Sequence, residues 1–186
     1  IRGRDAAVRF QAEIDPHALT AIAAQPTAQK SFHFAFSAAD VTYLCHHSEG
    51  SWIEREAKAW DFPIVYIEES EIGRLTGIQQ FSLGFHEPAL SNECAAVLNA
   101  KLGDKIHAFP NACSLDITPA GISKEQGIRT LLSVMGWDGA EVYAIGDETN
   151  DLPMLKAFDG YSLTTARKEI QTQAKQVFPS VGAMLD

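Results

Sequence analysis

The chain has 186 residues, of which 46% are hydrophobic, and its formal net charge is −9. This composition suits one folded core or two small ones and excludes a disordered chain. The acidic balance argues against a nucleic-acid or membrane partner, and no apolar run is long enough to span a bilayer. Three cysteines without metal-type spacing suit buried thiols in a reducing compartment, so we predict a cytoplasmic protein.

The sequence pattern of residues 1–13 predicts a hairpin around Gly3-Arg4-Asp5. From residue 14 to residue 116, helical spacing and strand-like alternation follow each other. Helices are predicted at 18–23, 52–60 and 90–98, and strands at 32–36, 41–45, 64–67, 79–86, 106–109 and 113–117, the last two as a hairpin around Pro110-Asn111. The pattern indicates an α+β domain.

The remainder of the chain, residues 117–186, alternates helices with short apolar runs. Strands are predicted at 141–145, at 160–164 and near Val177, and helices at 150–158, at 166–175 and after Lys124. Such alternation predicts a parallel, doubly wound half-sheet, and hence the α/β fold class.

An acidic cluster follows the predicted strand at Val142–Ile145, whose apolar run suggests burial on both faces. Gly146 ends this run, and Asp147, Asn150 and Asp151 come next. One interpretation is a helix start that collects capping side chains. A calcium loop is excluded, because the glycine and the glutamate that such a loop needs are absent from this spacing. The third interpretation is a Mg²⁺ site at the carboxyl end of a parallel strand.

A lysine stands at the start of the preceding helix. Ser123 and Gln126 fit a capping box, which places Lys124 in the first turn, beside the positive end of the helix dipole. It is either a solvated surface lysine or a cation directed at a phosphate bound over the helix N-terminus.

Two motifs in this order, Gly121-Ile122-Ser123-Lys124 and Ala144 to Asp151, resemble the haloacid dehalogenase (HAD) superfamily of phosphohydrolases, and within it the Cof-like branch with a type IIB cap. The resemblance implies a Rossmann-like half-core with an inserted α+β cap domain. Residues 1–13 would be a hairpin remnant of the core, residues 14–116 the cap, and residues 117–186 the C-terminal half of the core.

The resemblance also implies a function, the Mg²⁺-dependent hydrolysis of a small phosphorylated substrate, such as a sugar phosphate, through an aspartyl-phosphate intermediate. Lys124 and Asp147 would be catalytic, Lys124 and Asn150 would bind the phosphate, and Asp147 and Asp151 would hold Mg²⁺. On the cap, Gln80, Ser82 and His86 are candidates for contacting the leaving group.

The family's nucleophile motif, Asp-x-Asp-x-Thr, does not occur in residues 1–186. The nearest match surrounds Asp116, where Thr118 stands in place of the second acid. We therefore expect the N-terminal half of the core to be supplied by a further segment or chain, and residues 1–186 to be inactive alone. The alternatives are a non-catalytic phosphate-binding or regulatory relative and a phosphomutase of the same cap type.

Overall fold

The structure is a computed structural model that describes residues 1 and 7–185. It divides the chain into two compact units. Unit 2 is Gln11–Ile122, and it lies in sequence between the two segments of unit 1, Ile1–Phe10 and Ser123–Asp186. The sequence placed these boundaries after residues 13 and 116. The second of them falls inside a strand, because Ser114–Pro119 stays paired with its neighbour along its whole length.

Unit 2 is built on six strands, which are β1 (His33–Ser37), β2 (Thr42–Cys45), β3 (Ile64–Ile67), β4 (Gln80–Gly84), β5 (Ile106–Asn111) and β6 (Ser114–Pro119). They form one sheet in the order β3-β2-β1-β4-β6-β5. All neighbours are antiparallel except β2 and β3, which are parallel. Each of the six predicted strands is present.

The turn between β5 and β6 differs from the prediction. It was expected around Pro110-Asn111, but β5 continues through both residues, and the chain turns at Ala112, whose φ is 48°. Because β5 is at the edge of the sheet, it accommodates a proline that donates no ladder hydrogen bond.

Three α-helices accompany this sheet, namely α1 (Pro16–Ala23), α2 (Trp52–Ala59) and α3 (Pro88–Leu102). The main core joins α1 and α3 to one face of the sheet, and it includes Leu19, Ile22, Cys94, Leu98, Phe34, Phe36 and Phe81. Helix α2 contacts the opposite face, where Tyr66 donates a hydrogen bond to Glu54 and Trp52 packs edge-on against His33. Helices therefore lie on both faces of this sheet.

Unit 1 alternates helices and short strands after residue 123, in the order α4 (Lys124–Met135), β7 (Ile145–Gly146), α5 (Leu152–Ala157), β8 (Tyr161–Leu163), α6 (Lys168–Gln171), β9 (Val177–Phe178) and α7 (Val181–Leu185). The strands form a parallel sheet in the order β7-β8-β9. A parallel half-core that carries an inserted α+β unit is the predicted α/β fold class, which is thereby confirmed.

Strand β7 is shorter than predicted. The sequence indicated a strand through Val142–Ile145 with both faces buried, whereas Tyr143 is 56% exposed and the strand comprises Ile145–Gly146. In the described part of the chain, β7 lies at the sheet edge and pairs with β8 alone, so its earlier residues have no ladder partner. The predicted turn at Gly3-Arg4-Asp5 falls outside the described residues. No helix among the described residues is both long enough and apolar enough to cross a membrane.

Candidate functional site

Strand β7 ends with a glycine at a point of close packing. A Cβ atom on Gly146 would lie 2.5 Å from the Cβ of Asp151 and 2.7 Å from its Cγ. The Asp151 side chain therefore rests against the Gly146 backbone, which no larger residue would allow. A short 3-10 turn, Thr149–Asp151, follows and leads directly into α5.

Lys124 is the first residue of α4, and its side chain is 53% exposed. The Ser123 hydroxyl caps the helix by accepting a hydrogen bond from the Gln126 N–H at 3.1 Å. The other half of the predicted capping box differs, because the Gln126 side chain donates to the Thr130 hydroxyl at 3.3 Å. The cap fixes where α4 begins, and the lysine ammonium remains accessible from solvent.

Asp151 joins this lysine to the loop after β7. Its side chain is 4% exposed, and its Oδ1 accepts a hydrogen bond from the Lys124 Nζ at 2.5 Å. Its Oδ2 accepts from the backbone N–H groups of Asp147 at 3.1 Å and Glu148 at 3.2 Å. One buried carboxylate thus holds the cation of α4 and the start of the acidic loop together. Three of the predicted site residues, Lys124, Asp147 and Asp151, converge in this way.

Among the described residues, the side chains of Asp147 and Asn150 differ from Asp151 in making no such contacts. Asp147 is exposed, and the buried Oδ1 of Asn150 has no hydrogen-bond partner in this part of the chain. A carboxylate and an amide oxygen suit Mg²⁺, a hard cation that takes few ligands from a protein and keeps several waters. Within residues 1 and 7–185, no three or more His, Cys, Asp or Glu side chains are placed to hold a metal ion together. The described residues therefore fit part of a Mg²⁺ shell.

The contacts separate the roles predicted for Asp147 and Asp151. Both oxygens of Asp151 are occupied by protein donors, which favours positioning of Lys124 over direct metal binding. Asp147 keeps its carboxylate exposed to solvent. The catalytic, phosphate-binding and Mg²⁺-binding roles of these residues stay predictions.

The comparisons with known proteins identify the family. The family model for haloacid dehalogenase-like hydrolase matches residues 4–182. The chain belongs to this family. In fold, the HAD chain is similar to a HAD/COF-like hydrolase from Plasmodium vivax, with a TM-score of 0.77 at 17% identity over 96% of this chain and 63% of that one. It is also similar to the HAD subclass IIB sugar phosphatase BT4131, with a TM-score of 0.62 at 20% identity over 90% of this chain and 62% of that one.

A shorter match links the HAD chain to a protein from Geobacillus stearothermophilus. Over 62 residues it is 40% identical to the "Uncharacterized protein in pdhA 5'region", covering 33% of this chain and 65% of that protein. The chain spans less than two thirds of the length of each of these three proteins.

The sequence did not reveal two components of the site. Gly146 ends β7, as the sequence indicated, but the space that it leaves for the Asp151 side chain was not foreseen. The backbone N–H groups of Asp147 and Glu148 hold the Asp151 carboxylate, and no side-chain pattern predicts a backbone donor. The available signal was a glycine directly before an aspartate at a strand end, a position where close backbone approach is common.

Proposed function

We propose that this HAD protein is a Mg²⁺-dependent phosphomonoester hydrolase that acts on a sugar phosphate or a related small phosphate. The proposal rests on one observation. The single carboxylate of Asp151 holds both Lys124 and the loop after β7 in place. The arrangement presents an ammonium group at the positive end of α4, beside a loop whose Asp147 carboxylate is exposed. Such a combination suits a bound phosphoryl group.

In the proposed reaction, an aspartate from a further segment attacks phosphorus as the bond to the leaving-group oxygen breaks. Water then hydrolyses the aspartyl phosphate and releases inorganic phosphate. Lys124 would neutralise charge on the transferring group, Asp151 would keep that lysine in place, and Asn150 would donate to a phosphate oxygen. Asp147 would hold Mg²⁺, which when bound supplies electrostatic stabilisation of the phosphoryl oxygens.

The surface around β7 supports the proposal that another strand brings the nucleophile. Among the described residues, β7 forms one edge of its sheet, and an open apolar edge favours pairing with a further strand. Several large apolar side chains of unit 1 are also exposed, namely Leu131, Val134, Met135, Trp137 and Tyr143. A further segment that packs on unit 1 and buries such side chains would be stabilised by the apolar surface it removes from water.

The test is hydrolysis of p-nitrophenyl phosphate by the protein together with the proposed N-terminal segment, with Mg²⁺ and after chelation by EDTA. We expect turnover that needs Mg²⁺ and that falls at least about 100-fold in Lys124→Ala, because one preorganised charge contributes a few kcal/mol to the barrier. Lys156→Ala removes an exposed lysine from α5 and is the matched control, which should leave turnover unchanged.

Each alternative has its own outcome. Phosphate binding without turnover would contradict the hydrolase and indicate a non-catalytic relative. Activity that needs a bisphosphate activator and releases no phosphate would indicate a phosphomutase. Residues 1–186 without the segment should show no turnover, and measurable hydrolysis by them would contradict the proposal of an external nucleophile.

A further inference from the structure

Strand β3 forms one edge of the six-stranded sheet of unit 2, and in the described part of the chain it pairs with β2 alone. Its register aligns Thr42 with Ile64, and the Thr42 N–H donates to the carbonyl oxygen of Pro63 at 2.9 Å. In a parallel ladder a residue bonds to the two residues that flank its register partner, so Pro63 and Val65 direct their backbone groups towards β2. The N–H and C=O groups of Ile64 and Tyr66 therefore point away from the sheet.

This edge lacks the features that usually protect an edge strand, which are charged side chains, proline on the open side and bulges. Residues 62–67 include no charged side chain. Pro63 gives no protection, because its missing N–H lies on the side of β2. Beside the edge, Trp60 is 80% exposed, Phe62 37% and Val65 44%. An unprotected edge next to exposed apolar side chains indicates association with a further strand.

A second copy of β3 complements this edge. When two copies run antiparallel about a two-fold axis at Val65, Ile64 of each copy is opposite Tyr66 of the other. Each such pair exchanges both of its hydrogen bonds, so the outward-pointing backbone groups of both residues are satisfied in both copies. The two Val65 side chains meet at the axis as a non-hydrogen-bonded pair, the type in which side chains lie closest. The edge is thus self-complementary, as a two-fold interface requires.

Exposed charges at the two ends of β3 favour the same orientation. Lys58 is in the last turn of α2, which leads into the N-terminal end of β3, and Glu68 directly follows the C-terminal end. Their side chains are 64% and 72% exposed. Antiparallel pairing brings the first end of each copy beside the second end of the other. Because Asp61 also lies at the first end, these charges contribute to orientation more than to affinity.

We propose that the protein forms a dimer in which the β3 edges of two copies pair antiparallel about a two-fold axis at Val65 and join the two sheets into one. The partner is a second copy, because in this register the outward-pointing groups of β3 satisfy one another and no charged side chain of residues 62–67 opposes another. The proposal is independent of the phosphatase function.

Sedimentation velocity of the full-length protein between about 1 and about 300 µM tests for this dimer. Because the paired strands are short, we expect micromolar association, seen as a weight-average mass that rises from one chain towards two. Val65→Lys should raise the Kd at least about 10-fold, since two like charges would meet at the axis. His107→Lys places the same charge on β5, the opposite edge of the sheet, and should leave the Kd within about twofold.

Disulfide cross-linking tests the register. The Cα atoms of a non-hydrogen-bonded antiparallel pair lie about 4.5 Å apart, a separation that a disulfide spans. In a Cys113→Ser background the remaining cysteines, Cys45 and Cys94, are buried. Val65→Cys in this background should form a covalent dimer on oxidation with copper phenanthroline, whereas His107→Cys should remain a single chain.

A mass of one chain over the whole concentration range would overturn the proposal, as would a dimer that Val65→Lys does not weaken. Weakening by His107→Lys alone would assign the interface to β5 instead. Slow hydrogen exchange of the Ile64 and Tyr66 amides in a protein that stays monomeric would show that a different strand covers the edge, which also contradicts a second copy. Circular dichroism checks the folding of Val65→Lys, and if this variant does not fold, the cross-linking of Val65→Cys decides.

Discussion

Two aspartates four residues apart in the loop after β7 have opposite surroundings. Asp151 is buried and accepts hydrogen bonds from Lys124 and from two backbone N–H groups. Asp147 is exposed, and it is the backbone N–H of this residue, not its carboxylate, that forms the hydrogen bond with Asp151. The Asp151 side chain therefore contributes to folding and positioning, whereas the Asp147 carboxylate is available to a ligand.

This contrast predicts different effects of the same substitution. Asp151→Asn should lower the free energy of unfolding by about 1–3 kcal/mol, because the buried network loses its negative charge and one of its two acceptor oxygens is replaced by an amide donor that faces other donors. Asp147→Asn should change that free energy by less than about 0.5 kcal/mol, as is usual at exposed positions, but should raise the Mg²⁺ concentration needed for turnover. Urea denaturation measures the first quantity, and a Mg²⁺ titration of p-nitrophenyl phosphate hydrolysis the second. Equal destabilisation by both variants would contradict the assignment.

His33 on β1 is a buried imidazole, and within residues 1 and 7–185 neither of its ring nitrogens has a hydrogen-bond partner. Burial, with a smaller contribution from the nearby His47, lowers the pKa of His33 from 6.5 to about 4. The unfolded chain therefore binds a proton more readily than the folded one between these two values, so stability is lost as the pH falls through this window.

We expect the wild-type protein to lose about 2 kcal/mol of unfolding free energy through this residue between pH 7 and pH 5. His33→Phe keeps an aromatic ring over Gly84, its cross-strand partner, but cannot be protonated. Between pH 7 and pH 5, the unfolding free energy of His33→Phe should therefore fall by about 2 kcal/mol less than that of the wild type. Urea denaturation of both proteins at several pH values supplies the comparison, in which all other titrating groups are shared. Parallel pH profiles would show that His33 does not titrate as proposed.

At the scale of elements, the sequence correctly predicted the helices and strands that depend on the pattern of residues close together in the chain. The strand at 32–36 and the start of α4 after the Ser123 cap were predicted correctly. The errors concern features that depend on neighbours. The extent of β7 depends on its ladder partners, and the second half of the Ser123 capping box was replaced because Thr130 offers Gln126 another acceptor. In the site, the sequence identified the polar side chains, while Gly146 and the backbone donors required the fold.

Glycines in two elements of unit 1 provide a matched prediction. In Gly146→Ala at the end of β7, the new methyl group would lie 2.5 Å from the Asp151 Cβ, so overpacking should cost about 1–3 kcal/mol and displace the carboxylate that holds Lys124. Gly127 lies inside α4, where an added Cβ meets no atom within 4 Å. Gly127→Ala should therefore stabilise the helix by about 0.5–1 kcal/mol. Thermal denaturation of both variants is the measurement, and opposite shifts in Tm are expected. Stabilisation by Gly146→Ala would contradict the close approach.

At the scale of the whole molecule, the two units differ greatly in the cores that the structure describes. The cluster in unit 2 contains 23 buried apolar residues, whereas that in unit 1 contains four, Ala144, Met154, Leu155 and Ile170. Unit 2 also has a six-stranded sheet, whereas the described residues of unit 1 form a parallel sheet of three strands. Because stability follows buried apolar area and ladder pairing, the local stability of unit 1 should be much lower.

Hydrogen exchange followed by mass spectrometry on residues 1–186 tests this difference directly. Amides of β8 and β9 should exchange well before those of β1, β4 and β6, because opening unit 1 exposes little apolar surface. If a further strand pairs with β7, as the proposed function requires, protein that includes this strand should show slower exchange throughout β7, β8 and β9, with little change in unit 2. The sheet order places β7 at the edge that such a strand would cover. Equal protection of the two sheets in residues 1–186 alone would mean that unit 1 is already complete without a further strand, and the proposal of an external nucleophile would lose its structural basis.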